Sequence, residues 1–168
     1  MKQYITLKNS FLFFVLMSIS SSSFLGAQQT EKEALAKLSF IVGDWKGESA
    51  GFENGKKTKV VIAHEKVQYI LDGDLITIDL DSPSLKLHTI IGYKKDEGSY
   101  FYQPFTKNRS SQFKGELIDN QFVVYFNPER RLIFERTPEG AFHEYGEQLK
   151  DGKWIKYFED LLFPKSKQ

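Results

Sequence analysis

Beyond Trp45 the chain alternates hydrophobic and polar positions with period two, and short turn-forming groups interrupt the alternation again and again. The turn signals are Asn54-Gly55, Asp72-Gly73, Asp96-Glu97-Gly98, Asp119-Asn120, Pro138-Glu139-Gly140 and Asp151-Gly152. Each supplies a residue that tolerates positive φ, as tight hairpins require. Strands are predicted near 45–52, 57–71, 75–80, 85–94, 100–105, 111–118, 122–127, 131–136, 142–149 and 154–161. No helical stretch lies between them, which favours an up-and-down meander. A meander of about ten strands leaves two exposed edges unless it curls until they meet, so a closed barrel is expected.

The alternation assigns faces. Leu85, Leu87, Thr89, Ile91 and Tyr93 are expected to point inward, as are Phe113 with Leu117 and Phe122, Val124 with Phe126. The second strand offers Val61, Ala63, Val67 and Tyr69 on its inner face, and that parity carries Glu65 inward with them. The last two strands show no clean alternation, so their faces stay unassigned. Ahead of the strands the period is helical: Thr30 and Glu33 have capping-box spacing, and Leu35, Leu38 and Val42 recur on one face. One short helix is predicted from Glu31 to Ile41 or Val42, lying across an end of the barrel.

The N-terminal segment reads differently. Lys2 and Lys8 precede an apolar run from Phe11 to Ile19, followed by a serine-rich stretch ending at Leu25-Gly26-Ala27. This order predicts a signal peptide over residues 1–27, with an apolar part too short for a stable membrane-spanning helix. A single domain, residues 28–168, is then expected in the periplasm or secreted medium. Removing Lys2 and Lys8 turns 23 basic against 22 acidic residues into 21 against 22, a balance that gives no attraction to nucleic acid. The absence of cysteine removes disulfides and thiolate chemistry from consideration, and no later apolar stretch is long enough to span a membrane.

The string Leu38 to Glu48, carrying Gly43-Asp44-Trp45 and continuing as Trp45-Lys46-Gly47, resembles the opening of calycin-like barrels. It is most similar to the nitrobindin-like branch and its uncharacterised secreted bacterial relatives. Glu144-Tyr145, Asp151-Gly152 and Lys153-Trp154 look like that family's closing hairpin. The resemblance implies a barrel with Gly43, Trp45 and Gly47 as structural residues. Lipocalins in addition place a late arginine against the first-strand tryptophan, whereas the expected final strand here holds only Lys156. Haem-binding nitrobindins are expected to use a histidine near the C-terminus, and none follows His143, so the resemblance disfavours haem. No cofactor is predicted.

Candidate chemistry is sparse. His64, His88 and His143 lie on three different strands without the spacing of a zinc motif, and no metal site is expected from them. Glu65 is either a buried carboxylate with a raised pKa or the partner of an inward Arg136, with the ion pair favoured because ionised groups are seldom buried alone. Tyr69, Tyr93, Tyr100, Tyr102 and Phe126 either line a ligand pocket or fill the interior. Ser110 and Ser111 lack a glycine elbow, so a serine hydrolase is unsupported. The expected function is non-catalytic binding of a small apolar molecule, with Glu65, the four tyrosines, Phe126 and Arg136 as ligand-binding candidates. Alternatives are an enzyme using Glu65 or a histidine as acid or base on a lipid-like or aromatic substrate, and a filled barrel acting through its outer surface.

Overall fold

A computed structural model describes residues 29–165; the expected signal peptide, 1–27, lies outside the described residues. The chain opens with α1 (Glu31–Ala36), capped as its sequence requires: Thr30 Oγ1 accepts from the Glu33 amide while the Glu33 carboxylate accepts from the Thr30 amide. The helix is shorter than its periodicity predicts. Lys37 and Leu38 donate three residues back, to Ala34 and Leu35, and a 3₁₀ turn follows at Ser39–Ile41. Tightening to three residues per turn aligns Leu35, Leu38 and Ile41, all fully buried, where an α-helix would have aligned Val42.

The strands are β1 (Gly43–Glu53), β2 (Lys56–Ile70), β3 (Leu75–Asp81), β4 (Lys86–Lys94), β5 (Ser99–Thr106), β6 (Arg109–Ser110), β7 (Phe113–Ile118), β8 (Gln121–Asn127), β9 (Arg130–Arg136), β10 (Phe142–Lys150) and β11 (Lys153–Pro164). Ten of them pair antiparallel with their neighbours in chain order, β4 with β5 and β11 with β1 included, so the sheet closes. The two-residue β6 pairs only with the end of β5, and Ser111 and Gln112, expected in a strand, fall between β6 and β7. Left-handed backbone at Asn54-Gly55, Asp119-Asn120 and Asp151-Gly152 makes the tight hairpins at the positions their residue types predict. This closed ten-strand antiparallel barrel with one short helix is consistent with a calycin-like fold. Among the described residues no helix is long and apolar enough to cross a membrane.

The helix end of the barrel is solid. Rings from six strands meet in sequence around it: Trp45 stacks on Phe142, Phe142 on Phe134 and Phe134 on Phe122, then Phe122 meets Tyr100 and Tyr100 meets Tyr93 edge-on. The contact across β7 is possible because Gly115 stands there; a Cβ would come within 2.5 Å of the Phe122 ring. Leu35, Leu38 and Ile41 join this cluster from above, together with Ile76 and Ile91 from β3 and β4. Burial of each such side chain stabilises the fold by about 1.5–3 kcal/mol.

The Gly-x-Trp-x-Gly string has a steric explanation. The Trp45 indole lies back over Gly43, where a Cβ would sit 2.4 Å from the ring, and its Nε1 donates to the Ile41 carbonyl at 2.9 Å. Gly47 lets β1 approach β11, because a Cβ there would lie 2.2 Å from the Leu161 carbonyl oxygen. The arginine missing from the final strand is supplied by β9: the Arg136 guanidinium lies 4.3 Å from the Trp45 ring centroid and Nη1 donates to the Phe40 carbonyl.

Candidate functional site: an acid-floored cavity at the open end of the barrel

The opposite end of the barrel encloses a cavity of about 490 Å³, within the range usual for small-molecule sites. Its walls are apolar, with Val61, Leu80, Leu87, Pro104, Phe126 and Phe158 from six strands. Exposed Lys59 and Leu85 stand at the rim. Ser82, Ser84 and Thr106 add polar groups to the lining, and Ser49, Tyr102, Glu144, Tyr157 and Asp160 make the floor, where the cavity meets the packed half.

Three irregularities of the sheet produce this shape. The register shifts between β1 and β2 beside Gly51, in β8 between Tyr125 and Asn127, and between β10 and β11 beside Gly146. At the first, Thr58 and Lys59 of β2 stand against Gly51 alone; at the other two the extra residues are Phe126 and Tyr157, and Gly51, Lys59, Phe126 and Tyr157 all line the cavity. A bulge re-aims its side chain and widens the local curvature, which is why such bulges gather at barrel rims and sites. At the third, Tyr157 and Phe158 both face the cavity although they are consecutive. Gly146 makes room for them, since a Cβ would lie 2.3 Å from the Phe158 ring and 2.5 Å from Tyr157.

Beneath this floor three carboxylates converge. Glu144 and Asp160 are cross-strand partners on β10 and β11, and Asp160 also pairs with Ser49 of β1. Glu65 comes from β2, where it stands opposite Trp45. An oxygen of each lies within 4.8 Å of the other two. Glu65 is 1 % exposed and does not reach the cavity, Asp160 is 4 % exposed, and the half-buried Glu144 turns its accessible part into the cavity.

Burial pushes all three acids upward, and repulsion from the other acids of the cluster adds to it at Glu65 and Glu144. Glu65 and Glu144 are raised well above their ordinary 4.5, burial being the main cause and the neighbouring acids the second. Asp160 is raised less, because the Ser49 hydroxyl and Glu65 favour its ionised form against the cost of burial. Two ionised carboxylates cannot hydrogen-bond to each other, and neither Glu65 oxygen has another partner among the described residues. A proton on Glu65 resolves this by making it a donor to Asp160. Tyr102 is also raised well above 10.0, first by burial and then by Glu144.

Tyr102 and Phe126 line the cavity among the residues expected to do so, and Glu65 lies just behind it. Tyr69 and Tyr100 are at the other end, where their hydroxyls donate to the Leu35 and Ala34 carbonyls at the end of α1, which also accept from the Leu38 and Lys37 amides. Tyr93 sits beside Tyr100 in the ring cluster. Arg136 shares the parity of Leu132 and Phe134, but at the strand's end it bends onto Trp45 and does not pair with Glu65. The histidines are all on the outer face, each against a carboxylate: His64 with Asp44, His88 with Asp79, and His143 with Glu135 and Glu159.

Glu144, Asp160, Ser49 and Tyr157 are the residues the sequence reading missed. Acids occupy the inward positions of β10 and β11 and a bulge interrupts their pairing, so period-two alternation of hydrophobicity fails there. That failure was itself a signal. The chain matches no protein-family model and no curated protein.

Proposed function

We propose that the protein is a non-catalytic binder of a small, largely apolar molecule held in the open end of the barrel. The observation that carries this reading is the cavity of about 490 Å³ with largely apolar walls, bordered by three irregularities of the sheet, two of which turn an aromatic residue, Phe126 or Tyr157, toward it. A surface-only role would give no reason for that concentration of irregularity at one end. Catalysis through Glu65 is less well supported, because its carboxylate lies behind Glu144 and Asp160 and does not line the cavity. Kinship with the nitrobindin-like branch is part of the proposal, supported by Gly43, Trp45 and Gly47 in their close-packed roles. So is residence outside the cytoplasm after cleavage of residues 1–27.

Native mass spectrometry of the protein purified from its own host tests the binding role. A retained small-molecule mass is expected, and bare protein under gentle ionisation counts against it. N-terminal sequencing of the same material is expected to begin at Gln28; an uncleaved Met1 would refute export by this route.

A further inference from the structure

The floor of the cavity narrows the chemistry of the ligand, on the premise that the barrel is a small-molecule binder. A cation beside Glu144 and Asp160 would offset the burial and repulsion that favour their protonated forms; ionised in its presence they only accept hydrogen bonds, and the groups around them add more acceptors than donors. Glu144 faces the cavity from β10 and Asp160 from β11, with Ser49 from β1 and Tyr157 from β11 beside them. Tyr102 reaches the floor from β5 near Glu144. The cation lining the cavity is Lys59, at the rim, away from the acids.

Two further polar atoms near the floor lack partners among the described residues, and one of them belongs to Asp160 of the cavity lining. Asp160 Oδ1 has no hydrogen-bond partner among the described residues although the side chain is almost wholly enclosed. Thr89 is 0 % exposed and shares the inward parity of Leu87 and Ile91; its Oγ1 lies near enough to Tyr102 to influence it, yet has no hydrogen bond of sound geometry. Buried polar atoms of this kind are normally satisfied, and a donor-rich group in the cavity that Asp160 lines would satisfy its carboxylate after a small turn of the side chain.

We propose that the ligand is an amphiphilic amine, its ammonium seated on Glu144 and Asp160 and its hydrocarbon or aromatic body against the apolar walls. An ammonium brings three donors and no acceptor, the complement of this floor. The aromatic residues Tyr102, Tyr157 and Phe158 line the same cavity, and the Tyr157 ring already holds one cation, Arg130, 5.6 Å from its centroid. An alcohol would supply one donor and no charge, and a fatty acid would bring a like charge to the acids. A bare divalent ion takes six or more oxygens and would make no use of the apolar walls.

Calorimetric titration of the purified mature chain with octylamine, octan-1-ol and octanoate separates these cases. Octylamine is expected to bind about tenfold or more tighter than octanol, the size of one charge-assisted contact, and octanoate weakest. In Glu144→Gln the preference for amine over alcohol should collapse to within about threefold, after a melting curve has shown the variant folded. Asp160→Asn provides the same comparison if that variant does not fold. Octanol binding as well as octylamine overturns the amine assignment and leaves the binder reading standing. Failure of all three overturns both. A preference that survives both variants, or Ca²⁺ alone binding where octylamine does not, also overturns it.

Discussion

The two ends of this barrel are built on the same ten strands and the same inward parity, yet one is solid and the other hollow. At the helix end the inward positions carry Trp45, Tyr100, Phe122, Phe134 and Phe142, and α1 closes the top. At the open end they carry Ser49, Val61, Leu87, Pro104 and Thr106, which are smaller, and the sheet is widened by bulges opposite Gly51 and at Phe126 and Tyr157. Stability is concentrated where large rings interlock with regular strands. Binding capacity arises where side chains shrink and regularity is given up, and the acids lie on the border between the two.

The sharpest way to break this division is to remove a ring from the solid end. Phe134→Ala, at a fully buried position stacked between Phe122 and Phe142, should cost about 3–5 kcal/mol in urea unfolding. A loss below about 1 kcal/mol would mean that the rings do not carry the stability assigned to them.

The border is tested by pH. Glu65 binds its proton more tightly folded than unfolded, so above its ordinary 4.5 the native state holds more protons, and stability falls as pH rises through the raised value. Glu144 and Asp160 act in the same direction. Glu65→Gln keeps a donor toward Asp160 without titrating. It should therefore flatten the decline of melting temperature between weakly acidic and neutral pH; an unchanged slope would show that Glu65 is ionised in the native state.

Smaller effects are expected from the supporting positions. Gly146→Ala forces Tyr157 and Phe158 aside and should cost about 1–3 kcal/mol while altering ligand affinity, since the strain falls on cavity rings. Arg136→Ala removes an exposed cation from the face of Trp45 and should cost about 0.5–1 kcal/mol with no effect on ligand affinity. The smallest change is expected at the rim, where Leu85→Ala, at a residue 45 % exposed, should lie within about 0.5 kcal/mol of the wild type. Equal costs for Leu85→Ala and Phe134→Ala would erase the distinction between the two ends.

How much of this was legible beforehand follows from which interactions are local. The hairpin turns at Asn54-Gly55 and Asp151-Gly152, the Thr30–Glu33 cap and the inward faces of β2, β4, β7 and β8 depend on neighbours in the chain, and the residues themselves predict them. The shortened helix was hidden because Leu35 and Leu38 fit both helical periods, and only packing against the barrel selects Ile41 over Val42. Arg136 was expected to meet Glu65 on shared parity alone. Its place at the end of β9, beside the Trp45 indole, gave it a flat aromatic partner without the desolvation that an interior ion pair demands.

The sequence by itself determined the closed antiparallel meander, because period-two patterning and turn chemistry act over a few residues, and sheet edges left open are costly. Only the tertiary structure decided that the barrel is filled at one end and hollow at the other, and that Glu65, Glu144 and Asp160 meet on the border between them. Those outcomes depend on register, bulges and the tilt of strands distant in the chain, and a one-residue shift in any of them would aim the same side chains elsewhere.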